Sequence, residues 1–452
     1  MQFQPDAIRK TSSVFLAVFL LNCLLVTIGC GGGGSSSPSA GAPSSITISP
    51  QSSTLAAGSA VQFVGTTNNN TGVSWQVNGV AGGSSGAGTI SSAGLYNAPA
   101  VLPSGPVTVT AVSQVMPSLV ASATLTITNT NANHDPLGTV ASANAVSCSD
   151  VGADQGVAGS TCYQLVVSCP DVSQEDPVDL KVNAAAAPLG TILFTAGGGG
   201  KTWYDQEFTY GTDAVNQVIA GNFTAVQLLF ESPVGYSSSL VPSGWLSGPG
   251  GVRKLSCRWA TAAQWVHDNL LAANAAFCAT GNSAGSSAMS YSITHYGMQS
   301  VFDFFEQTSG PPMARIDQGC VCNSAATQSP CGSVTQSSCY GVDGNMFIDP
   351  AYASSICSSA ESTHSTTNQD TFIDDSILAP DANLVYPHLA MHFLFGGLDA
   401  GAAPTQAAQY LSAVSAKGAV TSSCVADAPH AILDAQDGAN QVAADLLSMC
   451  HR

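Results

Sequence analysis

Acyl transfer needs a serine held at a sharp turn, a carboxylate and a histidine, and this chain carries all three in that order. Gly281-Asn282-Ser283-Ala284-Gly285 fits the G-x-S-x-G turn, which presents a serine between a strand and a helix. Ala275 to Ala279 leads into it as a short buried strand, and Ser286 to Tyr296 follows as a Gly-free stretch that can be helical. In a chain with 45 glycines the bare pattern says little. Gly82-Gly83-Ser84-Ser85-Gly86 matches it equally well, but lies among Gly, Ser and Asn with neither strand nor helix around it. Ser283 is therefore the candidate nucleophile, and Ser84 reads as an ordinary turn residue.

A serine hydroxyl attacks well only when a base takes its proton and a third group orients that base. Leu389 to Phe395 reads as a buried strand, and Gly396-Gly397-Leu398-Asp399 leaves its carboxyl end in a loop that can present a carboxylate. Asp399 is the expected acid; Asp374, Asp375 and Asp427 remain alternatives. Ala428-Pro429-His430-Ala431 precedes an amphipathic helix with Ala439, Val442, Ala443, Leu446 and Leu447 on one face, which makes His430 the expected base. His392 lies inside the apolar strand as a satisfied core residue, and His267 falls on a helix with Trp259, Ala262, Ala263, Val266 and Leu270. His364 and His451 sit in a Ser/Thr-rich loop and beside the terminus. Upstream, the strand Leu189 to Thr195 runs into Gly197-Gly198-Gly199-Gly200, whose backbone N–H groups can face a developing oxyanion.

These four landmarks in sequence give residues 135–452 a resemblance to α/β-hydrolases of the serine esterase and lipase kind. The resemblance implies an oxyanion hole from the N–H groups of Gly198, Gly199 and Ala284, and chemistry with no metal or organic cofactor. Ala196 and Gly197 stand where many members have a His-Gly pair. The expected fold class is α/β, a mostly parallel sheet. Its strands are expected at Tyr163 to Ser168, Val178 to Val182, Leu189 to Thr195, Ala225 to Phe230, Ala275 to Ala279, Val301 to Phe305, His388 to Phe395 and Gly418 to Ser422. Helices are expected at Trp259 to Leu270 and around Ala407, Tyr410, Leu411 and Val414. The Cys-, Ser- and Thr-rich residues 312–386 interrupt the alternation, where hydrolases of this kind carry a cap.

Two segments precede this domain. Arg9 and Lys10, an uncharged apolar run from Val14 to Ile28 and then Gly29-Cys30 resemble a bacterial lipoprotein signal, residues 1–30, with Cys30 as the lipidated residue; Thr27 departs from the usual Leu or Val. A Gly/Ser/Pro tether, 31–43, follows, and any membrane attachment is expected through lipid. Residues 44–128 contain no cysteine and read as short strands, Ile46 to Ile48, Val61 to Val64, Val73 to Val77, Val107 to Thr110 and Leu125 to Ile127, of a β-sandwich around Trp75. With Gly88-Thr89-Ile90-Ser91, Gly94-Leu95-Tyr96 and Pro99, this segment resembles the bacterial Ig-like group 2 family, which implies a spacer or an adhesive module contacting cell-surface or extracellular polymers.

Of the 14 cysteines, all but Cys23 and Cys30 lie beyond residue 147, an even set that indicates disulfides in an exported domain. Cys424 and Cys450 bracket His430 and are expected to pair. Cys320, Cys322, Cys331 and Cys339 are closely spaced, but with no His among them they read as disulfide cysteines rather than zinc ligands. With 10 Lys and Arg against 28 Asp and Glu, a net charge of -18 excludes nucleic-acid partners and disfavours polyanionic substrates. The expected activity is hydrolysis of a small-molecule or polymer-borne ester outside the cytoplasm. A serine peptidase and an inactive surface-binding protein are the alternatives.

Overall fold

Strands that are apolar at every position need cover on both faces, and the large sheet of this protein has it. The computed structural model describes residues 42–452 apart from 57–59, 85, 100–102, 104, 129–133, 232–243, 324–326, 329 and 333–334. The expected signal and Cys30 lie outside the described residues. The sheet strands are β1 (Thr139–Val146), β2 (Thr161–Ser168), β3 (Asp176–Asn183), β4 (Gly190–Thr195), β5 (Thr224–Phe230), β6 (Ala276–Asn282), β7 (Phe304–Thr308), β8 (Ala390–Gly396) and β9 (Thr421–Val425). They lie in the order β1-β2-β3-β5-β4-β6-β7-β8-β9. Pairing is antiparallel from β1 to β5 and parallel from β5 to β9.

The main helices are α1 (Gly211–Ala220), α2 (Cys257–Leu270), α3 (Ala284–Thr294), α4 (Ala402–Ala413) and α5 (Gln436–Met449). Side chains alternate across the sheet with period two. Leu193, Val226, Phe277 and Phe305 share a core with α2 and α3. Their neighbours Ile192, Phe194, Cys278 and Phe304 face the other way, into a core with α1 and α5. Each buried Leu or Phe on these faces stabilises the fold by about 1.5–3 kcal/mol, so a charge at Phe305 or Phe304 would open one layer of the sandwich. The strand order, with a sharp turn from β6 into α3, is the α/β-hydrolase arrangement.

Several boundaries differ from expectation for identifiable reasons. The strand expected at Val301 to Phe305 starts at Phe304, because Met298–Ser300 forms a 3-10 turn and Asp303 accepts the Phe277 N–H at 2.9 Å just ahead of the ladder. β9 begins at Thr421 rather than Gly418, whose positive φ of 74° suits a turn. β1 escaped detection since Thr139–Val146 is built of small residues with little apolar contrast, and α1 was likewise not anticipated.

The expected Cys424–Cys450 bridge is absent, and the two-faced sheet explains why. Cys424 is opposite Phe395, on the α2/α3 side, whereas Cys450 ends the helix that covers the other side. The sheet stands between them. Cys424 pairs instead with Cys331 of the cap, and Cys450 with Cys278 of β6. The remaining bridges are Cys148–Cys162, Cys169–Cys257, Cys320–Cys357 and Cys322–Cys339. Such disulfides are consistent with an extracytoplasmic protein. No described helix is long and apolar enough to cross a membrane.

The described residues from Ile46 to Thr128 form an all-β unit with its own core of Phe63, Trp75, Val77, Tyr96, Val109 and Leu125. Five-, four- and two-stranded sheets surround it. The single strand expected at Val61 to Val64 is broken at Phe63, which is buried and whose N–H bonds Gly94 C=O at 2.8 Å, leaving Ala60–Gln62 and Val64–Thr67 in different sheets.

Candidate active site

β6 ends at Asn282, and the chain reverses at once into α3, so the residue between them has no room for ordinary backbone angles. Ser283 adopts φ 54° and ψ -122°, a region that costs a non-glycine residue about 1–3 kcal/mol. Neighbouring strands fix the turn. The Ser283 N–H donates to Thr308 C=O at 2.9 Å, and the Thr308 hydroxyl bonds Gly281 C=O at 3.0 Å and Asn282 Oδ1 at 3.1 Å. A Cβ on Gly285 would lie 2.5 Å from the Ala196 carbonyl oxygen and 2.6 Å from that of Thr195, so only glycine lets α3 start this close to β4. Ala284 opens α3, where N–H groups lack intrahelical partners.

The acid and base come from the ends of β8 and β9, which the sheet places side by side. The Gly397 N–H bonds Val425 C=O at 2.8 Å and the Leu398 N–H bonds Ala428 C=O at 3.0 Å. A Cβ on Gly396 would lie 2.3 Å from the Pro429 carbonyl oxygen, so this contact between the two loops also needs glycine. Asp399 is buried, and its Oδ2 accepts a 2.8 Å hydrogen bond from His430 Nδ1 while Oδ1 accepts the Gly401 N–H at 3.1 Å. Burial alone would lower the His430 pKa. The hydrogen bond and charge of Asp399, with the charges of Asp343 and Glu207, outweigh it and hold the ring above the ordinary imidazole value.

Ser283, Asp399 and His430 line one cavity of about 440 Å³ together with Gly198 and Ala284. Among the described residues no hydrogen bond joins Ser283 to His430; such contacts commonly tighten only when substrate is bound. Gly199 does not line the cavity. Its carbonyl is held by the Trp245 N–H at 3.0 Å, behind the loop. Gly198, at φ 53°, is on the cavity wall, and a Cβ there would lie 2.9 Å from the Phe347 ring.

The alternative acids are elsewhere. Asp375 accepts the Tyr352 hydroxyl at 2.7 Å and the Val252 N–H at 3.1 Å, and burial pushes its pKa to about 6. Asp427 is exposed, and neither it nor Asp374 lines the cavity. His392 bonds the hydroxyls of Thr421 and Ser423, both at 2.8 Å, as a satisfied core residue. Ser84 lies exposed in the N-terminal unit, on a two-residue strand. Among the described residues, the one group with ligand atoms close enough for a metal is Cys322, Cys339 and Glu361, and its two sulfurs are already joined in a disulfide.

Sequence reasoning missed the cap and loop residues of the cavity: Met313, Tyr340, Asp343, Phe347, Ile348 and Glu207. Phe347 and Ile348 belong to a π-helical turn, Gly344–Ile348. The run Met346-Phe347-Ile348 was their signal, an apolar triplet inside a Ser-, Thr- and Cys-rich insertion. Glu207 had none beyond its place ten residues after Gly197.

No family model matches the chain, and no curated protein matches it. Among solved structures it is similar to a putative hydrolase from Agrobacterium vitis S4, at 12% identity and a TM-score of 0.40 over 64% of this chain and 99% of that one. It is also similar to a hyperthermophilic esterase from the archaeon Pyrobaculum calidifontis, at 11% and 0.39 over 66% and 85%. A third is Est1E from Butyrivibrio proteoclasticus, at 8% and 0.37 over 63% and 98%. The strand order and the sharp turn at Ser283 define the fold by themselves.

Proposed function

We propose that this protein is an exported serine hydrolase that cleaves carboxylic esters through Ser283, His430 and Asp399. The observation that carries the reading is a serine at a strained strand-to-helix elbow sharing a cavity with a histidine whose Nδ1 is bound 2.8 Å from a buried carboxylate. With Nδ1–H committed to Asp399, Nε2 is the nitrogen left to act as base. Ser283 Oγ bonds to the acyl carbon as its proton passes to Nε2, and the carbonyl electron pair moves onto oxygen. The Ala284 and Gly198 N–H groups receive that oxyanion. Its collapse breaks the bond to the alcohol, which leaves with the proton from His430, and water repeats the sequence on the acyl-enzyme.

The N-terminal unit is proposed as a spacer of the Ig-like kind, and Cys30 as a lipid attachment point. The deciding experiment incubates the purified protein with a fluorophosphonate probe, a panel of acyl esters and one peptide amide. Labelling at Ser283 with ester turnover supports the reading; amide turnover exceeding ester turnover points to a peptidase. Neither labelling nor turnover would leave a binding protein.

A further inference from the structure

We infer that Glu207 is a positioning residue for the oxyanion site: its carboxylate pins the peptide unit entering the Gly-rich loop and so aims the Gly198 N–H. The inference rests on the triad reading above. Both peptide units flanking Gly197 are held. On one side the Gly197 N–H donates to Glu207 Oε1 at 3.0 Å and Oε2 at 3.1 Å. On the other the Gly197 carbonyl accepts the Gly200 N–H at 2.9 Å. A trans peptide is planar, so fixing that carbonyl also fixes the Gly198 N–H, which must point the opposite way. The Phe347 ring over Gly198 limits its rotation further.

Glu207 is itself firmly placed. The Thr202 hydroxyl donates to its Oε2 at 2.6 Å, and it ends the one-turn helix Tyr204–Glu207, where Tyr204 packs between Phe194 and Phe208 with ring centroids 5.1 and 5.0 Å away. The carboxylate lines the same cavity as Ser283, and a Cβ built on Gly197 would lie 2.8 Å from Glu207 Oε1 and 3.8 Å from the Ser283 Cβ. A negative charge this near a developing oxyanion opposes it. What the residue supplies is therefore geometry; burial pushes its pKa upward, and the hydrogen bonds from Thr202 and Gly197 oppose that shift. The other charged groups acting on it are Asp434 and His430.

The test compares Glu207→Ala with Glu207→Gln in the full chain. Glu207→Ala should lower kcat about a hundredfold, as losing one oxyanion donor does, with little change in KM and a parallel loss of affinity for a boronic-acid inhibitor. Glu207→Gln keeps an oxygen that can accept the Gly197 N–H and should restore most of the rate. It also removes a charge that raises the His430 pKa, so the acidic limb of its rate profile should move to lower pH. A Gln variant as slow as the Ala variant, or an Ala variant within about threefold of the native kcat, overturns the inference. Should Glu207→Ala fail to fold, Glu207→Leu, which fills the space and offers no acceptor, takes its place, and a Leu variant within about threefold of the native kcat overturns the inference. Fluorophosphonate labelling of the native protein is the separate control, and its absence would sink the triad reading itself.

Discussion

Two segments of this protein match the same five-residue pattern, and they have almost nothing else in common. Ser84 lies exposed on a two-residue strand paired with Gly88, and its Oγ accepts a 3.3 Å hydrogen bond from the Ala87 N–H. Ser283 stands at positive φ between a seven-residue buried strand and an eleven-residue buried helix, against the ends of two neighbouring strands. The pattern fits any tight turn. What sets Ser283 apart is its place at the end of a central strand, with Asp399 and His430 carried past the ends of β8 and β9 into the same cavity.

The sharpest way to break this comparison is to remove each serine. Ser283→Ala should abolish fluorophosphonate labelling and lower ester turnover by about a millionfold, the scale seen when a triad serine is lost, while Ser84→Ala changes neither. Persistent labelling of Ser283→Ala would mean that the wrong serine has been chosen. Next in size is the acid: Asp399→Asn should cost about ten thousandfold in kcat by losing the charge that orients the imidazole. Asp375→Asn should act on thermal stability instead, since that carboxylate holds Tyr352 and Val252. If Asp375→Asn is the more damaging to turnover, the acid lies elsewhere.

The two regions should also respond differently to reduction. Residues 44–128 have no cysteine, so a thiol reductant should leave the melting of that unit unchanged. Replacing Cys331 and Cys424 by serine opens a bridge spanning 93 residues and should destabilise the α/β region by about 4–5 kcal/mol in the chain-entropy account. Peptide mapping of the unreduced protein gives the direct check, and a Cys424–Cys450 peptide would contradict the arrangement described here.

Smaller effects separate the glycines of the two motifs. Gly285→Ala meets the Thr195 and Ala196 carbonyl oxygens and should cost about 1–3 kcal/mol in a denaturant titration. Gly86→Ala meets nothing within 4 Å and should stay within about 0.5 kcal/mol of the native protein. The least change expected is in pH. His430 must be neutral to act as base, and its pKa is raised above 6.5. Ester turnover should therefore rise with pH, with its midpoint above that value. Asp343→Asn, which removes one of the charges raising it, should move the midpoint down.

The sheet was legible because its strands are continuous apolar runs, and the Ser–Asp–His order was legible because each residue follows one of those runs. Register and facing were not. Nothing in the spacing of Cys424 and Cys450 reveals that a sheet separates them; that depends on which side of β9 a side chain emerges, and a shift of one residue reverses it. The cap wall around Phe347 was hidden for another reason, since its π-helical turn sits in an insertion whose composition announces disulfides rather than a pocket. A run of four glycines likewise does not reveal that Gly197 and Gly198 line the cavity.

The Cys331–Cys424 bridge also bears on how the cavity can open. The covalent link joins the cap to β9 six residues ahead of His430, so the roof and the base hang from the same strand. A roof lifting as a body would drag on the loop that holds the imidazole, and exposing the cleft would at the same moment detune the machinery inside it. On the function proposed above, substrate is expected to thread past a roof that stays in place, so that traffic through the doorway, not the swing of a door, sets what reaches Ser283.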